Sequence, residues 1–135
     1  MWARSWRSWT RRDSGGDAGL EFDVEGGRNP RPTFGPMLVH TVYFWLKSDL
    51  TPAQRVEFRT GVETLGTIPS VSQFFCGTPA GVPDRPIIDK SFSVAITVIC
   101  KDIAAHDAYQ VDPIHLAFIA KCKVLWERVQ IYDAE

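Results

Sequence analysis

The sequence predicts an α+β domain built in the order β-α-β-β-α-β, occupying residues 37–135 of a 135-residue chain. Three observations carry that expectation. Apolar side chains recur with a period of two over residues 38–46 and 92–100, the period of a strand. Stretches with apolar residues at helical spacing follow each of them, and each opens on a residue able to cap a helix. The composition also changes at Met37, where regular periods begin.

The elements follow in order. Leu38, His40, Val42, Phe44 and Leu46 alternate with Val39, Thr41, Tyr43 and Trp45, a strand with both faces covered. Thr51 is an N-cap candidate with Pro52 at the first helical position, and Val56, Phe58, Val62 and Leu65 mark a helix that stops near Gly66. Val71 to Cys76 reads as a second strand. The loop from Gly77 to Pro86 is dense in glycine and proline. Phe92 to Cys100 is the strongest strand, with Phe92, Val94, Ile96, Val98 and Cys100 on one face. Asp102 caps a helix through Tyr109, Pro113 breaks it, and a second helical piece runs to about Lys123. Val129 to Asp133 closes as the last strand. Four strands and two helical regions in this order form the ferredoxin-like plan, with a predicted sheet order of 4-1-3-2 and the helices on one face.

Residues 1–36 are different. They carry six arginines, five acidic residues, six glycines and three prolines among scattered apolar side chains. A segment of this kind buries too little to offset its ordering entropy, so the expectation is a disordered extension. Met37 is itself a candidate start of translation. Within the extension, Trp2, Trp6 and Trp9 fall at helical spacing between arginines, a pattern suited to a membrane surface or a targeting signal.

Bulk properties exclude several classes. A net charge of −1 gives no electrostatic reason to expect nucleic acid or an anionic membrane as partner. No apolar run approaches the roughly 18–20 residues that span a bilayer. Cys76, Cys100 and Cys122 are an odd number in apolar segments, which suits reduced thiols and a cytoplasmic location. The histidines show no metal-ligand spacing, so neither metal nor cofactor is expected.

Chemistry is suggested by the run Tyr109-Gln-Val-Asp-Pro-Ile-His115. A neutral imidazole is a competent base for an acidic methylene between two carbonyls, and a phenol can polarise the carbonyl that is attacked. Pro113 turns the chain so that both side chains can face the sheet, where His40, Val42, Phe44 and Ile96 share a face. Each residue also has a purely structural reading. His40 can be a hydrogen-bonded core histidine, Tyr109 a core aromatic, and Asp112-Pro113 a helix-start device that carries His115 along. Trp126 can be core before it is pocket wall. His106 is expected on the outer, solvated face of its helix.

The motifs Met-Leu-Val-His40, Ile68-Pro-Ser-Val71, Gly77, Tyr109-x-x-Asp-Pro-x-His115 and Val129-Gln-Ile-Tyr-Asp133 stand in register over about a hundred residues. Together they resemble the Dabb family, the stress-responsive dimeric α+β barrels. The resemblance implies a homodimer in which two sheets pair face to face, and a pocket between each sheet and its own helices. Within the family, the positions resemble those of plant polyketide cyclases of the olivetolic acid type. That likeness implies Tyr109, His115 and His40 as catalytic residues. It also implies Ile96, Trp126, Val129 and Ile131, beside Val42 and Phe44, as the walls for a small hydrophobic ligand. Asp112 departs from the histidine common in the family, and Asp89-Lys-Ser departs from its usual approach to the third strand. The alternative is a non-catalytic, stress-related homodimer.

Overall fold

The computed structural model describes residues 37–135; the expectations for residues 1–36, the tryptophan pattern included, lie outside the described residues. Strand β1 (Leu38–Leu46) is followed by helix α1 (Pro52–Glu63), strands β2 (Gln73–Gly77) and β3 (Val94–Cys100), helices α2 (Ile103–Val111) and α3 (Pro113–Cys122), and strand β4 (Trp126–Ala134). All strand pairs are antiparallel, in the order β2-β3-β1-β4. This is the ferredoxin-like α+β fold and the strand order the sequence predicts.

Alternation assigns the two faces of the sheet. Leu38, His40, Val42, Phe44 and Leu46 are buried along β1, as are Val94, Ile96, Val98 and Cys100 along β3. The register pairs Phe44 with Val94, Val42 with Ile96 and His40 with Val98, so these side chains form one continuous face. Phe58 and Val62 of α1, Tyr109 of α2, and Phe118 and Cys122 of α3 are buried in the same core. Each large side chain removed from water here stabilises the fold by about 1.5–3 kcal/mol before entropy is counted. Among the described residues, no helix covers the opposite face, with Tyr43, Thr97 and Tyr132.

The helix ends follow the residues that predicted them. Thr51 Oγ1 accepts a hydrogen bond from the Gln54 N–H at 3.2 Å, and Gln54 Oε1 accepts from the Thr51 N–H at 2.9 Å, a reciprocal cap. Asp102 Oδ1 accepts from the Ala105 N–H at 2.7 Å. Asp112 serves two helices. Its N–H donates to the Tyr109 carbonyl and closes α2, while its Oδ1 accepts from the Ile114 N–H and opens α3. With ψ at 139°, it turns the chain between them.

Some details differ from the sequence reading. Val56 is exposed rather than part of the apolar stripe, because Phe58 lies only two positions away and takes the inward face. Gly66 does not end the α-helix, which stops at Glu63 and continues as a 3-10 turn over Thr64–Thr67. It is a point of close approach: a Cβ on Gly66 would lie 2.8 Å from the Phe74 ring. Gly61 plays the same part between α1 and α3, where a Cβ would lie 2.7 Å from Cys122 Sγ. Strands β2 and β3 begin two residues later than expected. Strand β4 begins three residues earlier, at Trp126, where a register shift against Trp45 and Leu46 admits the extra length.

Candidate functional site

Three of the predicted residues meet near one end of the helix-covered layer. His40 projects from β1, almost fully buried, and its ring contacts that of Tyr109 edge-on at 5.7 Å. Tyr109, on the inward face of α2, is 1% exposed. His115 stands in the first turn of α3, where the Asp112-Pro113 turn brings it back against the Tyr109 ring, 4.9 Å between centroids. The predicted pair is therefore in contact, and the six-residue spacing works because a proline separates two helices.

Two further residues complete the cluster, and sequence reasoning missed both. Asp133 of β4 pairs with His40 in the sheet register, and its Oδ1 lies 2.5 Å from His40 Nδ1, whose N–H donates to it. His106 is not a solvated outer residue. Its Nε2 sits 3.2 Å from His40 Nδ1, its ring is 4.7 Å from that of His40, and the Gln110 side-chain amide donates to Nε2 at 3.1 Å. A signal for each was present. His106 is three residues before Tyr109 and so shares its helix face. Asp133 is two residues beyond Ile131 and so shares its strand face.

Burial sets the electrostatics. It pushes His115 below the ordinary histidine value, with the neighbouring His40 adding to the effect and the Gln110 backbone and Asp112 opposing it. Nδ1 of His115 is itself buried without a well-formed hydrogen bond. His40 is also lowered by burial, against the raising influence of Asp133. Burial raises Tyr109 far above the ordinary phenol value, so it stays protonated and can only donate or accept as a neutral group. At neutral pH His40 and His115 thus stand as neutral imidazoles beside a phenol.

The expected walls divide into two groups. Phe44, Ile96 and Val42 are buried as expected, and Trp126 packs on Phe44, Phe58 and Phe118 at 5.2 to 6.3 Å. Those rings fill much of the space between sheet and helices. Val129 and Ile131 share that face through their pairing with Phe44 and Val42, yet they are 40% and 45% exposed. The cause is position: β4 is an edge strand, and the buried helix residues sit over β1 and β3. A separate open groove of about 390 Å³ lies on the helix-free face, lined by residues that include Tyr43, Trp45, Phe92, Arg128 and Tyr132.

A four-stranded antiparallel sheet with helices packed on one face defines a ferredoxin-like α+β domain. The model of the stress responsive A/B barrel domain, Dabb, matches residues 38–135, and the chain belongs to that family. A Dabb protein with a ferredoxin-like fold from Mesorhizobium loti is similar, at 26% identity and a TM-score of 0.60, with 73% of this chain and 95% of that chain covered. A dimeric ferredoxin-like protein of unknown function from Thermobifida fusca aligns at 20% identity and a TM-score of 0.60, covering 74% and 91%. A hydroxynitrile lyase from Passiflora edulis shares the fold at 22% identity and a TM-score of 0.62, covering 73% and 92%. A search of curated proteins finds no match. Among the described residues, no helix is long and apolar enough to cross a membrane.

Proposed function

We propose that this chain is a homodimeric Dabb domain that binds a small hydrophobic carbonyl compound and acts on it with Tyr109 and His115. One observation carries the reading: His115, whose buried Nδ1 makes no well-formed hydrogen bond, packs against the Tyr109 ring with 4.9 Å between centroids. A buried polar atom whose hydrogen bond is poorly formed is costly, and a ligand group that meets it repays that cost. Neutral His115 is the form that accepts a proton from a carbon acid, and neutral Tyr109 is the form that donates to a carbonyl oxygen as charge develops. His40, anchored by Asp133, also packs edge-on with Tyr109. Val42, Phe44, Ile96 and Trp126 form the apolar side of the site, with Val129 and Ile131 at its exposed rim.

Support for a small-molecule enzyme also comes from the neighbouring hydroxynitrile lyase, a catalyst on the same fold. The polyketide-like substrate class rests on the positions of Tyr109 and His115 in the sequence. Support for the homodimer comes from dimeric neighbours and from the helix-free face, where Phe75 and Tyr132 are largely exposed. The three free thiols fit a cytoplasmic setting.

The test uses a panel of β-polyketones and aromatic acids with the full chain. Tyr109→Phe and His115→Ala should each lower turnover by roughly 10²–10⁴-fold while leaving the dimer folded. A second reading, a non-catalytic homodimer, is favoured by the near-complete burial of Tyr109 and the ring packing around Phe44. It holds if both variants only melt earlier and ligand binding is unchanged. Sedimentation of the full chain at micromolar concentration tests the dimer, and a stable monomer would overturn it.

A further inference from the structure

Three ligand-type atoms converge at the open end of the cluster. His40 Nδ1 from β1, His106 Nε2 from α2 and an Asp133 carboxylate oxygen from β4 all lie within 4.8 Å of one another. The hydrogen bonding there is over-subscribed. One N–H on His40 Nδ1 faces two acceptors, the Asp133 oxygen at 2.5 Å and the His106 nitrogen at 3.2 Å. A single proton cannot align with both. A cation at that point would take a lone pair from all three groups at once.

We propose that His40, His106 and Asp133 form a binding site for a first-row divalent cation of the zinc class. Two imidazoles and one carboxylate are the donor set that such borderline ions select, and they discriminate against calcium and magnesium, which prefer oxygen alone. The dimensions fit. Bonds of about 2.0–2.2 Å place neighbouring ligand atoms about 3–3.5 Å apart, so the 3.2 Å separation of the two ring nitrogens is already a coordination edge. The carboxylate must draw back from His40 and settle between the rings. Asp133 can do so, because its side chain is 44% exposed on an edge strand, while His40 is fixed at 3%. Binding displaces the His40 Nδ1 proton to solvent, leaving Nδ1 as a neutral donor to the ion. Three protein ligands leave at least one position for water or an incoming ligand, the arrangement of a reactive rather than a purely structural site.

The spacing hides the site from sequence inspection. The three ligands come from three elements, 66 positions apart for His40 and His106 and 93 for His40 and Asp133, so no local motif announces it. The proposal does not depend on the carbonyl chemistry above, since it is read by binding and spectroscopy rather than turnover.

The experiment titrates the full chain, stripped with a chelator, with Zn²⁺ by calorimetry and with Co²⁺ by visible absorption. One equivalent per chain is expected, with ligand-field bands from nitrogen and oxygen donors. His106→Ala and Asp133→Asn should each weaken binding by at least about tenfold, since even groups outside the coordination sphere are worth that much. Both positions are partly exposed, so these variants remain folded where His40→Ala could fail. His115→Ala and Cys76→Ser should bind as the parent does. The proposal is overturned if the parent takes up no stoichiometric ion at micromolar concentration. It is equally overturned if His106→Ala and Asp133→Asn bind Zn²⁺ as tightly as the parent.

Discussion

The two ends of the helix-covered layer are built on the same strand and differ in kind. Phe44 stands four positions along β1 from His40, and both point into the same layer. At the Phe44 end, Phe58, Phe118 and Trp126 close around it in edge-on and tilted contacts of 5.2 to 6.1 Å, with no charge to satisfy. At the His40 end, three imidazoles, a phenol and a carboxylate share hydrogen bonds and ring edges. The first arrangement is held by dispersion and exclusion of water, which are insensitive to pH. The second is held by groups whose protonation decides whether they attract or repel. One strand thus delivers stability at one end and chemical responsiveness at the other.

The sharpest way to break this comparison is to remove an aromatic from the dry end. Phe58 is fully buried, and Phe58→Ala should cost about 3–5 kcal/mol in urea unfolding, with the same loss at acidic and neutral pH. A cost that varied strongly with pH would show that the two ends are not separable. The next largest effect is steric. Gly61→Ala would drive a methyl into Cys122 Sγ and should destabilise by about 1–3 kcal/mol, with the added variant Cys122→Ala recovering part of it. If Cys122→Ala recovers nothing, α1 and α3 are not in contact there.

Acid should separate the two ends by a smaller amount. Burial and the neighbouring His40 and His106 hold His115 below 6.5, while the Gln110 backbone and Asp112 pull it upward. Below 6.5 the unfolded chain therefore binds more protons than the folded one, so stability falls as pH drops through that value and is level above it. Melting temperatures from about pH 8 to about pH 5 should show this decline, and His115→Gln should make it shallower while His40, also lowered by burial, supplies the remainder. A profile equally steep in the variant would place the sensitivity elsewhere. The smallest effect is expected from Tyr109→Phe, which keeps the ring contacts and should change stability by no more than about 1 kcal/mol. A larger loss would mean that the hydroxyl anchors the histidine end, and that its role is structural.

Local chemistry made much of this legible. Thr51, Asp102 and Asp112 announce their helices because a capping side chain acts within three residues of itself. Leu38 to Leu46 and Val94 to Cys100 announce central strands because burial on alternate sides leaves a period of two. The contact between Tyr109 and His115 was readable because Pro113 makes a continuous helix impossible. What the sequence left obscure depends on which helix lies over which strand. Val129 and Ile131 have core-like composition, yet they sit beyond the reach of the helices and stay half-exposed. His106 and Asp133 acquire their meaning only from His40, which is distant in the chain and adjacent in space.

The strand order has a consequence for how the chain is made. Strand β1 is formed by the first described residues, and β4, its partner along one whole edge, by the last. During synthesis β1 can pair with β3 once Cys100 has emerged, but its other edge stays bare until Trp126–Ala134 follows. Contacts so far apart in sequence close slowly, and an unpaired apolar edge is prone to pair with another chain. The nascent protein is therefore most exposed to misassembly late, when almost everything else is in place. Asp133, docking on His40, is among the last residues to close that gap.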